Sequence, residues 1–424
     1  MLKITTHSKM RNRVYTEIFQ KKSQSKFGRI LVITGARQTG KTTLIQKIFS
    51  DYTYISVEDP VMRRTFTELT ALQWKTLYPK AALDEVQKEP QLIESIKATY
   101  DQWEEPRYIL LGSSQLLLLE KVRESLAGRC TILELFPLTL PELQTNGWDD
   151  PVIPSLFQQE LAEQSTDNYL PSFLLDQRHA LKLKAYNHYL RFGGYPAVSG
   201  DDTTDTEKTE WLRNYVRTYL ERDIRDLASF RDLEPFVKLQ QYLALNTATL
   251  TNAASIGKQL GISPKTVQRY IYYFEMSYQA INLPAWSRNA GKRLVKSPKV
   301  HYLDQGVTQA VLKKQGGLTG NEYESAIISE IYKQAKNSGL ALQFSFLRTH
   351  DGREVDLLIE FQDYYYAFEI KMAEKVSQTD ARHLFNLEEF LDKPVKKAFL
   401  LSNDFRTQYF DEKTVALHAA MFLG

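Results

Sequence analysis

The chain of 424 residues is 43% hydrophobic and 25% charged with a formal net charge of +3, which predicts about three globular domains and leaves nucleic-acid binding to the distribution of charge. No apolar run approaches the roughly 20 residues of a membrane helix, and the lone Cys130 excludes an internal disulfide and a cysteine-based zinc site. The basic segment 1–22 lacks the apolar core of a signal peptide, so a cytoplasmic location without a membrane partner is expected.

The first predicted elements are a buried strand, a glycine loop and a helix in "GRILVITGARQTGKTTLIQKIF", residues 28–49. Gly35, Gly40, Lys41 and Thr42 fit the spacing G-x-x-x-x-G-K-[ST]. Glycine lets the backbone N–H groups of the loop, which also contains Ala36, Arg37, Gln38 and Thr39, turn toward phosphate. Lys41 reaches the β and γ phosphates, Thr42 offers a hydroxyl to magnesium, and Thr43 continues the helix N-terminus that favours the anion. ATP and magnesium are therefore the expected cofactors.

A strand ending in acid follows in "AALDEVQ", residues 81–87. Asp84 is placed to hold the magnesium through water and Glu85 to orient and polarise the attacking water. Pro79 and Lys80 leave the start of this strand undefined. In "RYILLGSSQLLL", Ser113 or Ser114 follows a third strand, either beside the γ-phosphate or as the cap of the next helix. In "SLAGRCTILELFPLTLPEL", Arg129 precedes a further strand, where it is a candidate to contact nucleotide in the same or a neighbouring subunit. Together these elements predict a parallel sheet with helices on both faces over residues 1–150.

Residues 151–240 read as helical, interrupted by the Gly-Gly-x-Pro turn of "RFGGYPAV". "TDTEKTEWLRNYVRTYLERDIRDLASF" predicts one long amphipathic helix, and the whole segment suits a lid over the nucleotide. Arg222 and Arg225 are candidates for phosphate contact, but Glu221, Asp223 and Asp226 beside them favour surface ion pairs.

"TLTNAASIGKQLGISPKTVQRYIYYFEM" has a different pattern. A helix over 253–260, a turn at Gly261, the cap and first-turn pair Ser263 and Pro264, and a second helix make a helix-turn-helix. Lys265, Thr266, Gln268 and Arg269 are residue types that contact bases and phosphates. "SRNAGKRLVKSPKV" then brings Arg288, Lys292, Arg293, Lys296 and Lys299 with no acid among them, which reads as the charged wing of a winged helix over 241–305. DNA is the expected partner of such a patch, with a protein–protein module as the alternative.

The final part, 306–424, contains "GREVDLLIEFQDYYYAFEIKM", two short strands carrying Asp356 on the first and Glu369 and Lys371 on the second. Side chains alternate along a strand, so Glu369 and Lys371 share a face, and Asp356 joins them if the strands form a hairpin. Two carboxylates hold a hard cation at a scissile phosphate while the lysine stabilises charge. The same acids and lysine also fit an ordinary solvated strand face. The seven histidines show no metal-site spacing.

The ordered stretches "GARQTGKTTL", "LDEVQKEP", "LLGSSQLLL", "LAGR", "FGGYPAV", "YLERDI", "GISPKTVQRYI", "KSPKVHYLDQGV", "YESAIISEI" and "EVDLLIE…FEIK" resemble AAA-superfamily ATPases of bacteria and archaea. In that family a P-loop domain precedes a winged helix and a restriction-endonuclease-like domain of the PD-(D/E)XK type. The resemblance runs from about residue 28 to 375. Ala81 and Ala82 are smaller than the family pattern, and the segment 149–169 is peculiar to this chain. The resemblance implies ATP binding and hydrolysis, and it places a helix glutamate at Glu324, with Glu322 the nearest substitute. The expected α/β fold is thus a P-loop parallel sheet sandwiched by helices with a helical lid, a winged helix, and an α/β restriction-endonuclease-like domain. Two functions are carried forward. One is an ATPase coupled to DNA binding and metal-dependent cutting by Asp356, Glu369 and Lys371, with Glu324, Asp356 and Glu369 as metal ligands. The other is a nucleotide-controlled switch, compatible with an oligomer, whose catalytically silent C-terminal domain docks a protein partner.

Overall fold

A computed structural model describes residues 10–112, 122, 124–163, 178–220, 233–289, 296–314 and 316–424. After α1 (Tyr15–Ser23) the chain forms β1 (Ile30–Thr34), α2 (Lys41–Ile48), β2 (Thr53–Ser56), α3 (Pro60–Thr67), α4 (Ala71–Leu77), β3 (Lys80–Asp84), α5 (Gln91–Gln102), β4 (Arg107–Leu111) and β5 (Thr131–Glu134). The five strands pair in the order β2-β3-β4-β1-β5 and all run parallel. Alternation along β1 explains why both faces are covered. Ile30 and Val32 pack with Phe66, Trp74 and Ile93 from α3, α4 and α5. Leu31 and Ile33 pack with Phe19, Leu44 and Ile45 from α1 and α2. The acid-ended strand begins at Lys80, directly after the proline that cannot donate to a ladder.

Then come α6 (Leu140–Leu143), α7 (Leu156–Leu161), α8 (His179–Phe192), α9 (Asp205–Tyr215) and α10 (Glu234–Leu245). Hydrophobic packing divides these helices differently from the lid expected over 151–240. Phe157, Leu161, Tyr186 and Tyr189 of α7 and α8 join the core of the C-terminal sheet. Leu212, Tyr215, Phe236 and Leu239 of α9 and α10 join the core of the helix-turn-helix region, together with Ala36 of the glycine loop. The long helix expected from residue 204 onward runs as α9 and then a π-helical turn, Val216–Leu220. Its continuation lies outside the described residues.

The helix-turn-helix is α11 (Ala253–Leu260) and α12 (Pro264–Met276), followed by an antiparallel hairpin of β6 (Ala280–Leu283) and β7 (Lys299–Tyr302). Next are α13 (Gln305–Leu312) and α14 (Gly320–Asn337). The C-terminal sheet has β8 (Gln343–Arg348), β9 (Glu354–Glu360), β10 (Tyr365–Ile370), β11 (Val395–Ser402), β12 (Gln408–Tyr409) and β13 (Thr414–His418) in the order β12-β13-β11-β10-β9-β8, and α15 (Ala419–Leu423) closes the chain. Strands β9 and β10 are an antiparallel hairpin, while β10, β11 and β13 are parallel.

His301 on β7 is fully buried with both ring nitrogens unpartnered, and burial followed by the charge of Lys299 lowers its pKa to about 3. The unfolded chain therefore takes up a proton near pH 6.5 that the folded chain refuses. Stability from this group is complete above pH 6.5 and is lost as pH falls, by about 1.4 kcal/mol per pH unit. Groups with the opposite sign are present in the acid pocket described below, so the readout is a difference. Relative to the parent, His301→Leu is expected to gain about 2 kcal/mol of unfolding free energy between pH 7 and pH 5 in denaturant melts.

Candidate nucleotide site and C-terminal acid pocket

The glycine loop leaves β1 at Thr34 and reverses sharply. Gly35 has φ +146°, and a Cβ there would lie 2.2 Å from the Leu135 carbonyl oxygen. Gln38 and Gly40 also have positive φ, 63° and 90°. The loop thus reaches the N-terminus of α2, where unpaired N–H groups and the helix dipole favour an anion. Thr39 Oγ1 donates to the Ala36 carbonyl at 2.9 Å. Lys41 is buried, and its Nζ donates to the carbonyls of Gly35 and Ala36, both at 2.8 Å. Arg37 is half-buried, whereas Gln38 and Thr43 are exposed.

Sheet register brings the acid-ended strand to the same edge. Thr42 Oγ1 donates to Asp84 Oδ2 at 2.6 Å. The Tyr54 hydroxyl, from β2, donates to the same oxygen at 2.6 Å. Burial and then the bond to Asp84 raise the Tyr54 pKa, so the phenol stays a neutral donor. Glu85 follows in the left-handed region, φ 58°. Its N–H donates to Asp84 Oδ1 at 3.0 Å and its Oε2 accepts from Gln87 Nε2. Hydroxyl, carboxylate and second carboxylate are thus grouped beside the loop, a donor set suited to a magnesium ion and its waters.

Aromatic hydroxyls support the loop from behind. Tyr215 OH, from α9, donates to the Arg37 carbonyl at 3.1 Å and lies in hydrogen-bond contact with Tyr195 OH at 3.0 Å. Tyr278, in the turn after α12, bonds Thr34 Oγ1 at 2.6 Å and Glu134 Oε1 at 3.0 Å. The helix-turn-helix module is therefore anchored one residue before Gly35. Neither tyrosine carries a local sequence signal for this role, because the contact joins segments 178 and 244 residues apart. Gln87 was closer to hand, two residues after Glu85.

Arg129 pairs through Nε with Asp101 Oδ1 at 2.8 Å. It precedes β5, whose Thr131 lies opposite Leu31 near the start of β1, so it sits at the end of the parallel strands away from the glycine loop. Ser113, Ser114, Arg222, Arg225, Lys292 and Arg293 lie outside the described residues.

On α12, Lys265, Gln268 and Arg269 are exposed. Ser263 Oγ caps the helix through the Thr266 N–H at 3.1 Å and lies 2.9 Å from Thr266 Oγ1. Lys296 is exposed. The basic connection is smaller than the sequence implied, since Arg288 donates to the carbonyls of Phe390 and Leu391, at 3.4 and 3.2 Å. Lys299 leaves it altogether, being only 3% exposed.

Lys299 instead enters the C-terminal domain. Its Nζ lies 2.7 Å from Glu354 Oε1, 3.1 Å from Glu324 Oε1 and 3.9 Å from Asp356 Oδ1. Burial opposes its charge, but the carboxylates outweigh burial and raise its pKa. Asp356 Oδ2 accepts the Ile370 N–H at 2.8 Å. Lys371 Nζ donates to Glu369 Oε1 at 2.7 Å, while Glu369 Oε2 is buried without a partner. Burial, then Asp356, pushes Glu324 and Glu369 up to about 8, and burial also raises Asp356. The four residues expected to converge do so, yet as a metal site the set is altered. A lysine ammonium stands among the acids, and among the described residues no three Asp, Glu, His or Cys side chains are arranged to hold an ion. Glu322 serves elsewhere, in a capping box with Thr319 and an ion pair with Lys314 at 2.8 Å.

Comparison with known proteins places residues 28–144 in the AAA domain family. Residues 183–317 match a domain of unknown function, DUF8612, and residues 319–422 another, DUF4143. An uncharacterised protein of Mycobacterium tuberculosis is 25% identical over 81% of this chain and 70% of its own length. One from Haemophilus influenzae is 21% identical over 83% and 85%. The Walker-type ATPase PABY2304 of Pyrococcus abyssi aligns over 72% of this chain and 98% of its own, at 12% identity and a TM-score of 0.45, too low to bear weight. The AAA match and the five-stranded parallel sheet together make the N-terminal unit a P-loop ATPase core.

A Cβ at residue 35 has nowhere to go. Gly35→Ala is expected to cost about 1–3 kcal/mol in backbone strain and to weaken ATP binding roughly tenfold or more, as read by melting and fluorescent-nucleotide titration.

Proposed function

We propose that this protein is an AAA-type ATPase that binds ATP with magnesium, hydrolyses it, and passes the nucleotide state to the helix-turn-helix module. The observation that carries the reading is the 2.6 Å contact of Thr42 with Asp84 beside the positive-φ loop. In this reading the loop amides of Ala36 to Gly40 and the ammonium of Lys41 hold phosphate, and Thr42 and Asp84 hold the hydrated magnesium. Glu85 orients the attacking water. Lys41 exchanges the carbonyls of Gly35 and Ala36 for phosphate oxygens, which are the stronger charge-assisted acceptors. Tyr278 and Tyr215 carry the change outward, because each stands on the next module and bonds the loop region.

DNA is the proposed ligand of α12, through Lys265, Thr266, Gln268 and Arg269, with Lys292, Arg293 and Lys296 on the wing of a winged helix. A restriction-endonuclease-like assignment of the C-terminal domain is supported by the convergence of Glu324, Asp356, Glu369 and Lys371. A specific observation favours the second reading of that domain, a closed platform rather than a working nuclease: Lys299 fills the acid pocket. Among the described residues no helix is long and apolar enough to cross a membrane.

Phosphate release from ATP is expected to fall about 100-fold or more in both Lys41→Ala and Glu85→Gln. Glu85→Gln should keep ATP affinity while Lys41→Ala loses it, and full turnover in either variant would refute the assignment. For DNA, the Lys265→Ala/Arg269→Ala double variant should lower the slope of log affinity against log salt by about 2. An unchanged slope removes α12 from the interface.

A further inference from the structure

We infer that Lys299 is an intramolecular cation held in the C-terminal acid pocket, so that the lysine and a divalent metal ion are mutually exclusive occupants and the pocket loads only when the β6–β7 hairpin releases it. This deepens the second reading above and rests on it. The lysine comes from a different module than its partners. It is carried on β7, whereas Glu324 is on α14 and Glu354 and Asp356 are on β9.

Two features point to a site built for more positive charge than it holds. The first is the charge inventory. Glu324, Glu354, Asp356 and Glu369 are answered by Lys299, by Lys371, whose side chain is 40% exposed, and by Arg348, 3.6 Å from Glu354 and half-exposed. The second is Glu369 Oε2, buried in a residue 3% exposed and left without a partner. Lys371 engages the other oxygen of the same carboxylate, and the unpartnered oxygen is a ligand atom that an ion of higher charge would satisfy.

The exclusion follows from electrostatics. An ammonium within 4 Å of three carboxylates and a metal ion bound to the same carboxylates repel strongly at close range, so each lowers the affinity of the other. By linkage, whatever draws β7 away raises metal affinity, and metal in the pocket loosens the hairpin by the same free energy. Lys299 follows the exposed Lys296 by three residues. A ligand gripping that connection is therefore coupled to the pocket through the covalent chain.

The test is calorimetric titration of the metal-free full-length protein with Mn²⁺, without nucleotide. Lys299→Met keeps the stem and removes the charge, and Lys299→Met/Glu354→Gln keeps the charge balance in case the single variant fails to fold. Both are expected to bind Mn²⁺ at one site at least tenfold more tightly than the parent, and Lys299→Arg to behave as the parent. Adding Asp356→Asn to either should abolish the gain. No gain in either variant, a gain that survives Asp356→Asn, or failure of both variants to fold overturns the proposal in favour of a purely structural ion pair. DNA cleavage is read separately. Metal loading without cutting in the folded variants retires the nuclease reading and leaves the exclusion standing.

Discussion

Helix α14 is the constraint on which the arrangement of the modules depends. It is buried on nearly every side although its sequence is rich in polar residues, and several of its buried polar groups bond to other parts of the chain. Glu330 and Lys333 form an ion pair at 2.9 Å with both side chains at 0% exposure. Glu330 accepts the Leu140 N–H at 2.7 Å, and Lys333 donates to the Leu138 carbonyl and sits over the Tyr189 ring. Ser325 and Ser329 bind Tyr302 and Leu303 at the end of the hairpin. Gln334 reaches the Leu423 carbonyl and Ser155. Breaking one partner of such a buried pair costs about 3–5 kcal/mol, because the other charge is left uncompensated. The exit of the ATPase sheet, the hairpin and the C-terminus are thereby fixed to one rod, and the same rod carries Glu324 into the acid pocket.

That fixed frame gives the nucleotide loop unusual company. Its base is held by Tyr278 and one of its carbonyls by Tyr215, so loop and helix-turn-helix region share a core through Ala36 and Phe136. Tyr278 adopts φ 58° to make its bonds, a conformation that a bulky side chain tolerates only where the surroundings over-determine it. Burial and then Glu134 push its phenol pKa far up, which keeps the hydroxyl a neutral donor. Gly35 is therefore one residue away from a direct hydrogen bond to the end of α12.

How much of this was legible in the sequence depends on the range of the physics. The glycine loop, Asp84 and Glu85, the capped turn at Ser263 and the acid-bearing hairpin each rest on local rules of strand alternation, positive φ and helix capping, and the chain follows them. The role of Glu322 was also legible, since Thr319 three residues before it is a capping-box pattern. Helices α7 to α10 were not divisible by pattern alone, because each is amphipathic and only the partner decides its core. Arg129 shows the same limit. A strand's sequence gives its existence but not which edge of the sheet an adjoining residue occupies. Lys299 was grouped with Lys292, Arg293 and Lys296 by adjacency. The pairing of Lys299 with Leu283 turns it inward, and the acids that receive it come from α14 and β9.

Two lysines now occupy comparable positions at the two ends of the chain. Lys41 satisfies its ammonium on the carbonyls of Gly35 and Ala36, and Lys299 satisfies its own on Glu354 and Glu324. The difference lies in what a ligand must do. A triphosphate offers Lys41 better acceptors than neutral carbonyls, so binding strengthens the bonds of the lysine and leaves it in place. A metal ion offers Lys299 nothing but repulsion, so binding requires that the lysine depart and that a new environment receive a charge previously buried. The first exchange is local to a loop. The second moves a strand of the hairpin, and the turn between that hairpin and α12 carries Tyr278, which bonds the residue before the glycine loop.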